Sequence, residues 1–190
     1  MDIDLTSVKL AVLVADGFEL DEVTGPKEFL HGAGATAMIV SPENDRVRAG
    51  SDVSDEDLPV DVSLGSADES GFDALLLPGG EKSVERLAGN EAALAIIRAF
   101  LTGDRPIGAI SQSLQLLIRA DGVSGRRVTG DASLRDQLTE AGAEWVDKPV
   151  VVDRHLVTSS GKGSLQAFSQ AFAQVCGEDK SGTGASLHTD

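Results

Sequence analysis

The segment that most constrains the fold is a short apolar stretch that passes directly into a helical pattern at Ser111. Residues 106–110 read Pro-Ile-Gly-Ala-Ile, which is small and apolar enough for a parallel strand covered on both faces. A proline suits the start of a strand, where no ladder N–H is needed. Apolar side chains then recur at helical spacing, at Leu114, Leu117 and Ile118. The pattern predicts a strand that turns into a helix at Ser111, as in an α/β fold.

Ser111 has the surroundings expected of a nucleophile elbow. Such a turn is tight and strained, so its neighbours must be small, and Ala109 and Ser113 lie two positions on either side. The apex side chain would project over the carboxyl ends of the strands, where α/β sheets bind ligands. The following helix would offer free N–H groups that favour an anion. The chemistry is weaker, because a serine hydroxyl needs an adjacent base and Gln112 cannot supply one.

Composition narrows the class of protein and of partner. The chain has 190 residues, which favours one domain, and 41% of them are hydrophobic, which is typical of a globular protein. The net charge of −15 argues against nucleic acid and anionic membranes as partners. Cys176 is the single cysteine, so neither an internal disulfide nor a cysteine metal cluster is possible. We expect a cytoplasmic protein that uses no cofactor and no metal.

The rest of the chain alternates between strand and helix patterns. Besides the segment at Ser111, strands are predicted at 8–15, 35–41, 72–77, 144–146, 150–152 and 156–159, and helices at 20–31, 83–87, 91–101, 133–141 and 165–175. Residues 47–53 and 58–62 indicate a hairpin or edge excursion, and 122–127 a turn. This order predicts a flavodoxin-like three-layer α/β sandwich, with a mostly parallel sheet and helices on both faces. We predict a flexible leader at 1–7, a single domain at 8–176 and a disordered tail at 177–190.

Two further segments allow a functional and a plain interpretation. The acidic residues between positions 52 and 61 could be imagined as a metal site, but they lack EF-hand spacing, so a solvated loop is favoured. Pro78-Gly79-Gly80 closes a predicted strand. Its glycines let the backbone approach a ligand and leave N–H groups outward, and a structural tight turn explains them equally well.

Blocks spread over residues 8–175 resemble, in order, the ThiJ/PfpI superfamily, which has the class I glutamine amidotransferase-like fold. Within it, the chain looks most like the PfpI-type intracellular peptidase and stress-protein branch. The blocks are Ala-Asp-Gly-Phe-Glu at 15–19, Phe-Asp-Ala-Leu-Leu-Leu-Pro-Gly-Gly at 72–80, the turn at Ser111 with Gln-Leu-Leu-Ile at 115–118, Val-Ser-Gly-Arg-Arg at 123–127, Ala-Gly-Ala-Glu-Trp at 141–145, Val-Val-Val-Asp at 150–153 and Leu-Val-Thr-Ser at 156–159.

The resemblance implies a site in which several residues are exchanged. In the family the turn carries a Cys, then a His and a Gly, and a Glu after the first strand hydrogen-bonds the Cys. These positions fall on Ser111, Gln112, Ser113 and Glu19. With Gly79 and Gly80 as oxyanion or pocket residues, they form the predicted site.

Two other family positions are also altered. An acidic residue that orients the His falls by count on Val84, with Glu85 next to it. An Arg that follows Thr-Ser in the family falls on Ser160. The resemblance further implies a homodimer or a higher homo-oligomer.

The remaining reactive residue types do not restore the missing base. His155 lies in a predicted turn, His31 at a helix end and His188 in the tail, and each is expected to be an exposed polar residue. Cys176 is expected in the core, at the end of a helix.

Two functions follow. In the first, the chain has lost cysteine-type peptidase, deglycase or glyoxalase activity and acts as a small-molecule-binding or stress-related protein. In the second, Ser111 and Glu19 form a hydrolase or lyase for small carbonyl or acyl compounds, with backbone N–H groups holding the oxyanion.

Overall fold

A seven-stranded sheet forms the centre of the computed structural model, which describes residues 3–50 and 56–180. The strands of the chain are β1 (Lys9–Leu13), β2 (Thr36–Ser41), β3 (Arg46–Arg48), β4 (Asp57–Pro59), β5 (Val62–Ser63), β6 (Ala74–Leu77), β7 (Ile107–Ile110), β8 (Arg127–Val128), β9 (Glu144–Trp145), β10 (Val150–Asp153) and β11 (Leu156–Ser159). The helices are α1 (Leu20–Gly32), α2 (Glu81–Ala88), α3 (Glu91–Thr102), α4 (Leu114–Arg119), α5 (Arg135–Glu140) and α6 (Leu165–Lys180).

The sheet is parallel except at one edge. Its strand order is β10-β11-β7-β6-β1-β2-β5, and β10 is antiparallel to β11. The inner strands β6 and β7 are buried along their whole length, as parallel strands covered on both faces must be. This arrangement confirms the predicted mostly parallel sheet.

Successive residues of the central strands point to opposite faces of the sheet and pack into two separate hydrophobic cores. In β1, Leu10 and Val12 pack with α1 and α6, whereas Ala11 and Leu13 pack with α2, α3 and α4 on the other face. The period of two in side-chain direction therefore builds the helix–sheet–helix sandwich that was predicted.

One glycine sets how closely the sheet approaches α6. A Cβ on Gly108 would lie 2.7 Å from Phe168 Cζ and 3.2 Å from the Phe172 ring. The two rings stack with centroids 5.7 Å apart. Glycine is needed here because no larger residue leaves room for both rings.

Both predicted chain ends need correction. Leu5 is fully buried and its N–H donates to Ala33 O at 2.7 Å, so the segment at 3–7 is anchored to the domain by Leu5 rather than being a flexible leader. α6 continues to Lys180, so residues 177–180 are helical rather than part of a disordered tail. Residues 1–2 and 181–190 lie outside the described residues.

The small strands were only partly predicted. β3 and β4 form the expected antiparallel hairpin, whose residues 51–55 lie outside the described part, and β5 joins the main sheet beside β2. β8 begins at the end of a segment predicted to be a turn, and it pairs in parallel with β9. Two-residue strands are set by such tertiary pairing rather than by local pattern. Of the helices in the described ranges, none has the length and apolar character needed to cross a membrane.

Candidate functional site

Ser111 sits at a strained turn between β7 and α4. Its φ is +56°, in the left-handed region that non-glycine residues seldom adopt. A single 3-10 turn over Ser111–Ser113 leads from β7 into α4. The backbone carbonyl of Ser111 accepts a hydrogen bond from the Asp131 N–H at 3.2 Å. Backbone strain of this kind persists where the surrounding structure holds it in place.

Ser113 serves the turn itself rather than the pocket. Its hydroxyl accepts from the Ile110 N–H at 2.9 Å and is fully buried. The prediction that the Ser113 side chain lines the pocket is therefore wrong, and its small size matters because it fits beneath the turn.

Glu22 is the buried carboxylic acid of the site. The residue is 2% exposed, and Oε2 accepts from the Gly79 N–H at 2.6 Å. Burial, reinforced by the nearby charges of Glu19 and Asp21, raises the pKa of Glu22 from 4.5 to about 7, although the Gly79 N–H and Lys162 oppose the shift. At neutral pH this acid can therefore donate or accept a proton.

The resemblance implied that Glu19 is the acid at the Ser111 turn, but the acid that the structure buries near Ser111 is Glu22. Glu19 precedes α1 and is partly exposed, and its Oε2 pairs with Lys162 Nζ at 2.9 Å. Glu22 lies one turn further along, on the same buried helix face as Pro26 and Leu30. In the sequence, Glu22 lies four residues before Pro26 and eight before Leu30, which puts it on the apolar face of the predicted helix. This spacing could have identified Glu22 as the buried acid.

Gly161 brings Ser111 and Glu22 together. A Cβ built on Gly161 would lie 3.7 Å from Ser111 Oγ and 4.0 Å from Glu22 Oε1. The hydroxyl and the carboxylic acid therefore converge on one small space at the carboxyl ends of β7 and β11. Gly161 has a φ of +131°, which only glycine adopts readily, and it was not singled out from the sequence.

The two glycines after β6 have different roles. The Gly79 N–H is taken by Glu22, so it is not free to hold an oxyanion, and this part of the prediction is wrong. A Cβ on Gly80 would lie 2.3 Å from Gly17 O, which shows that the turn packs against the loop before α1. Gly80 as a pocket residue stays a prediction.

The other positions implied by the resemblance carry no catalytic arrangement. Gln112 is half-buried, and no hydrogen-bond partner for its side chain exists among residues 3–50 and 56–180. Val84 is fully buried in the core, and Glu85 is exposed. Ser160 is exposed, and its N–H donates to Pro149 O at 3.0 Å.

The histidines and the cysteine do not join the site. His155 was expected to be exposed, but it is half-buried, with Nδ1 3.3 Å from Asp104 Oδ2. His31 is exposed near the end of α1, and Cys176 is buried in α6, where burial raises the pKa of its thiol. His188 lies outside the described residues.

Two observations bear on what the protein could hold. Over the described ranges, no group of three His, Cys, Asp or Glu side chains has an arrangement suited to a metal ion. A cavity of about 330 Å³ lies beside α2, α4 and α5 and includes Glu85, Gln115 and Arg119 in its wall. Its wall includes α4, the helix that begins after the Ser111 turn.

Comparison with known proteins agrees with this architecture. The model of the DJ-1/PfpI family matches residues 8–175. Deglycase TK1284 of Thermococcus kodakarensis is 33% identical over 168 residues, which cover 88% of this chain and 99% of the relative. General stress protein 18 of Bacillus subtilis is 36% identical over 163 residues, covering 85% and 94%. The crystal structure of Drosophila melanogaster DJ-1beta superposes with a TM-score of 0.82 at 26% identity, covering 95% and 96%.

The family model spans nearly the whole described domain, and the relatives align over almost their full length. The predicted ThiJ/PfpI resemblance and the predicted fold are thereby confirmed. By its sequence and its architecture, this chain belongs to the DJ-1/PfpI family.

Proposed function

We propose that the protein binds small carbonyl or acyl compounds at the Ser111 turn and lacks cysteine-type peptidase or deglycase activity. The observation that carries the proposal is the convergence of Ser111 Oγ and Glu22 Oε1 on Gly161. Such a pair offers a hydroxyl and a carboxylic acid to one carbonyl group. The names of relatives, which include a deglycase, support a carbonyl-related ligand.

The residue types explain why binding is favoured over turnover. A cysteine nucleophile acts as a thiolate near neutral pH, whereas a serine hydroxyl needs a general base within hydrogen-bond reach. Gln112 follows Ser111 and cannot accept a proton. A protonated Glu22 can nevertheless donate a hydrogen bond to a carbonyl oxygen, and its pKa of about 7 keeps part of it protonated at neutral pH.

A second candidate is a hydrolase or lyase that uses Ser111 with Glu22 in place of Glu19. The pKa of Glu22, about 7, favours it, because this is the range in which a general base is most effective. Glu22 would take the proton of Ser111 as Oγ forms a bond to the carbonyl carbon. With an acyl compound, that proton would then go to the leaving group as its bond to the carbonyl carbon breaks, and water would release the acyl group from Oγ. With an aldehyde or ketone, the carbonyl π bond would break instead, and the proton would go to the carbonyl oxygen.

Turnover decides between the two candidates. We would measure consumption of methylglyoxal and of a panel of activated esters by wild type, Ser111→Ala and Glu22→Gln, with Glu19→Gln to test the acid that the resemblance implied. Equal inactivity of all four proteins is expected from the binding function. Turnover that disappears in Ser111→Ala and Glu22→Gln but survives in Glu19→Gln would establish the second candidate instead.

Binding is tested separately with hydroxyacetone, a neutral carbonyl compound. The expected result is saturable NMR shift changes at residues around Gly161 in wild type, weakened in Glu22→Ala. Absence of binding together with absence of turnover would refute both candidates. The stress-related role and the homo-oligomer stay predictions, the first supported by the name of General stress protein 18.

A further inference from the structure

We propose that Lys162 is the specificity-determining residue of the Ser111 pocket and that it selects carbonyl or acyl compounds carrying a carboxylate. The inference deepens the proposed function and rests on it. The ligand class is that of small 2-oxo acids, whose carbonyl would face Ser111 and Glu22 while the carboxylate meets the ammonium group.

The turn before Lys162 is held against the site by a chain of hydroxyl groups. Ser164 Oγ donates to Gly161 O at 2.8 Å, so the 2.8 Å contact between Ser159 Oγ and Ser164 Oγ has Ser159 as its donor. Ser159 Oγ in turn accepts from the Gly161 N–H at 3.2 Å. Each hydroxyl thus has a defined direction, and the backbone next to Lys162 is fixed beside Ser111.

The Lys162 side chain joins two of the segments that border the site. Nζ lies 2.9 Å from Glu19 Oε2, which connects the turn after β11 with the start of α1. An ammonium group has three N–H donors, and Glu19 is its one ion-pair partner within the described ranges, so donors remain for a ligand. The hydrogen bond with Glu19 raises the pKa of Lys162, so the group stays charged at neutral pH.

The surroundings of the site are acidic, so an anionic ligand depends on the positive charge of Lys162 for its binding. The whole chain carries a net charge of −15, and Glu19, Asp21 and Glu22 all lie at this end of α1. Their field opposes the approach of anions. Lys162 counters it locally, since its charge acts on Glu22 itself, the acid that meets the ligand.

The first experiment measures the charge preference of the pocket without any substrate. Ser111→Cys provides a thiol at the turn, and its rates of alkylation by anionic iodoacetate and neutral iodoacetamide give a ratio. Adding Lys162→Met should lower that ratio roughly threefold to tenfold, the size of one removed charge nearby in partly aqueous surroundings. Lys162→Arg should preserve the ratio of the two rates. Lys9→Met should also preserve it, because Lys9 is exposed at the start of β1, at the edge of the sheet away from the site.

The second experiment identifies the ligand class in the natural chain. Pyruvate and its neutral amide have almost the same shape, and their affinities for wild type, Lys162→Met and Lys162→Arg are compared by NMR titration. We expect wild type and Lys162→Arg to bind pyruvate at least about threefold more tightly than the amide, and Lys162→Met to bind both alike.

Either an alkylation ratio unchanged by Lys162→Met or equal affinities of wild type for pyruvate and its amide would overturn the inference. Binding of hydroxyacetone alongside that result would leave the proposed function standing. If none of the carbonyl compounds binds, the proposed function is refuted, and so is the inferred preference for 2-oxo acids.

Discussion

The Gly79 N–H donates to Glu22 Oε2 across 2.6 Å, and this bond joins the end of β6 to the first turn of α1 beside Ser111. It gives a carboxylic acid in the protein interior a hydrogen-bond donor. The same bond removes the Gly79 amide from any role in holding an oxyanion. The site is therefore built around an acid near its titration midpoint at neutral pH.

The buried Glu22 should make the protein less stable as the pH rises. Because its pKa is raised from 4.5 to about 7, its stabilising contribution is complete below about pH 4.5 and is lost as the pH rises through about 7. Glu22→Gln, which resembles the protonated acid, should match wild type near pH 4. At pH 8 it should be more stable by about 2–3 kcal/mol in urea unfolding.

The control for this prediction is Glu140→Gln, an exposed acid at the end of α5. It should follow wild type across the whole range of pH. A constant difference between Glu22→Gln and wild type from pH 4 to 8 would contradict the raised pKa.

Gly79→Ala should disturb the site through steric contact alone. A Cβ there would lie 2.6 Å from Glu22 Oε2 and 3.3 Å from Ile110 O, so the carboxylate must move and its hydrogen bond is strained or lost. We expect a loss of about 1–3 kcal/mol in the free energy of unfolding. Gly65→Ala is the matched control, because its added Cβ would meet no atom of the described residues within 4 Å apart from its chain neighbours. Equal stability of the two variants would show that the turn has more room than the structure gives it.

Ser111→Gly should stabilise the fold while removing the hydroxyl. The φ of +56° at Ser111 is strained for a residue with a Cβ, and glycine relieves it, for a gain of up to about 1 kcal/mol. Ser124→Gly, at an exposed position without positive φ, should instead lose stability because glycine adds freedom to the unfolded chain. Thermal unfolding of both variants tests this difference, and a loss in Ser111→Gly as large as that in Ser124→Gly would mean that the turn is not strained.

Cys176 should stay unreactive in the folded protein. The residue is 3% exposed, and burial raises the pKa of its thiol, so little thiolate is available to an alkylating reagent. Mass spectrometry after iodoacetamide treatment should find native wild type unmodified and urea-unfolded protein labelled once. Rapid labelling of the native chain would show that α6 opens readily, and it would also compromise Ser111→Cys as a probe.

The sequence by itself determined the sheet, the helices on both faces, the turn at Ser111 and the family. These depend on apolar periodicity and on local turn chemistry, both of which can be read along one strand or helix at a time. Only the tertiary structure decided which acid faces Ser111. Glu19 and Glu22 are three residues apart, and the direction of α1 against the sheet buries the second and leaves the first to Lys162.

The same reason explains the other differences. Gly161, like its neighbours Ser159 and Lys162, is far from Ser111 in the chain, and it approaches Ser111 only because β11 lies beside β7. The segment at 3–7 is held against the domain because Leu5 is buried in the core that includes α1 and α6. The burial of Glu22, its raised pKa and the ion pair of Lys162 all depend on contacts between distant parts of the chain. A local sequence pattern cannot predict them.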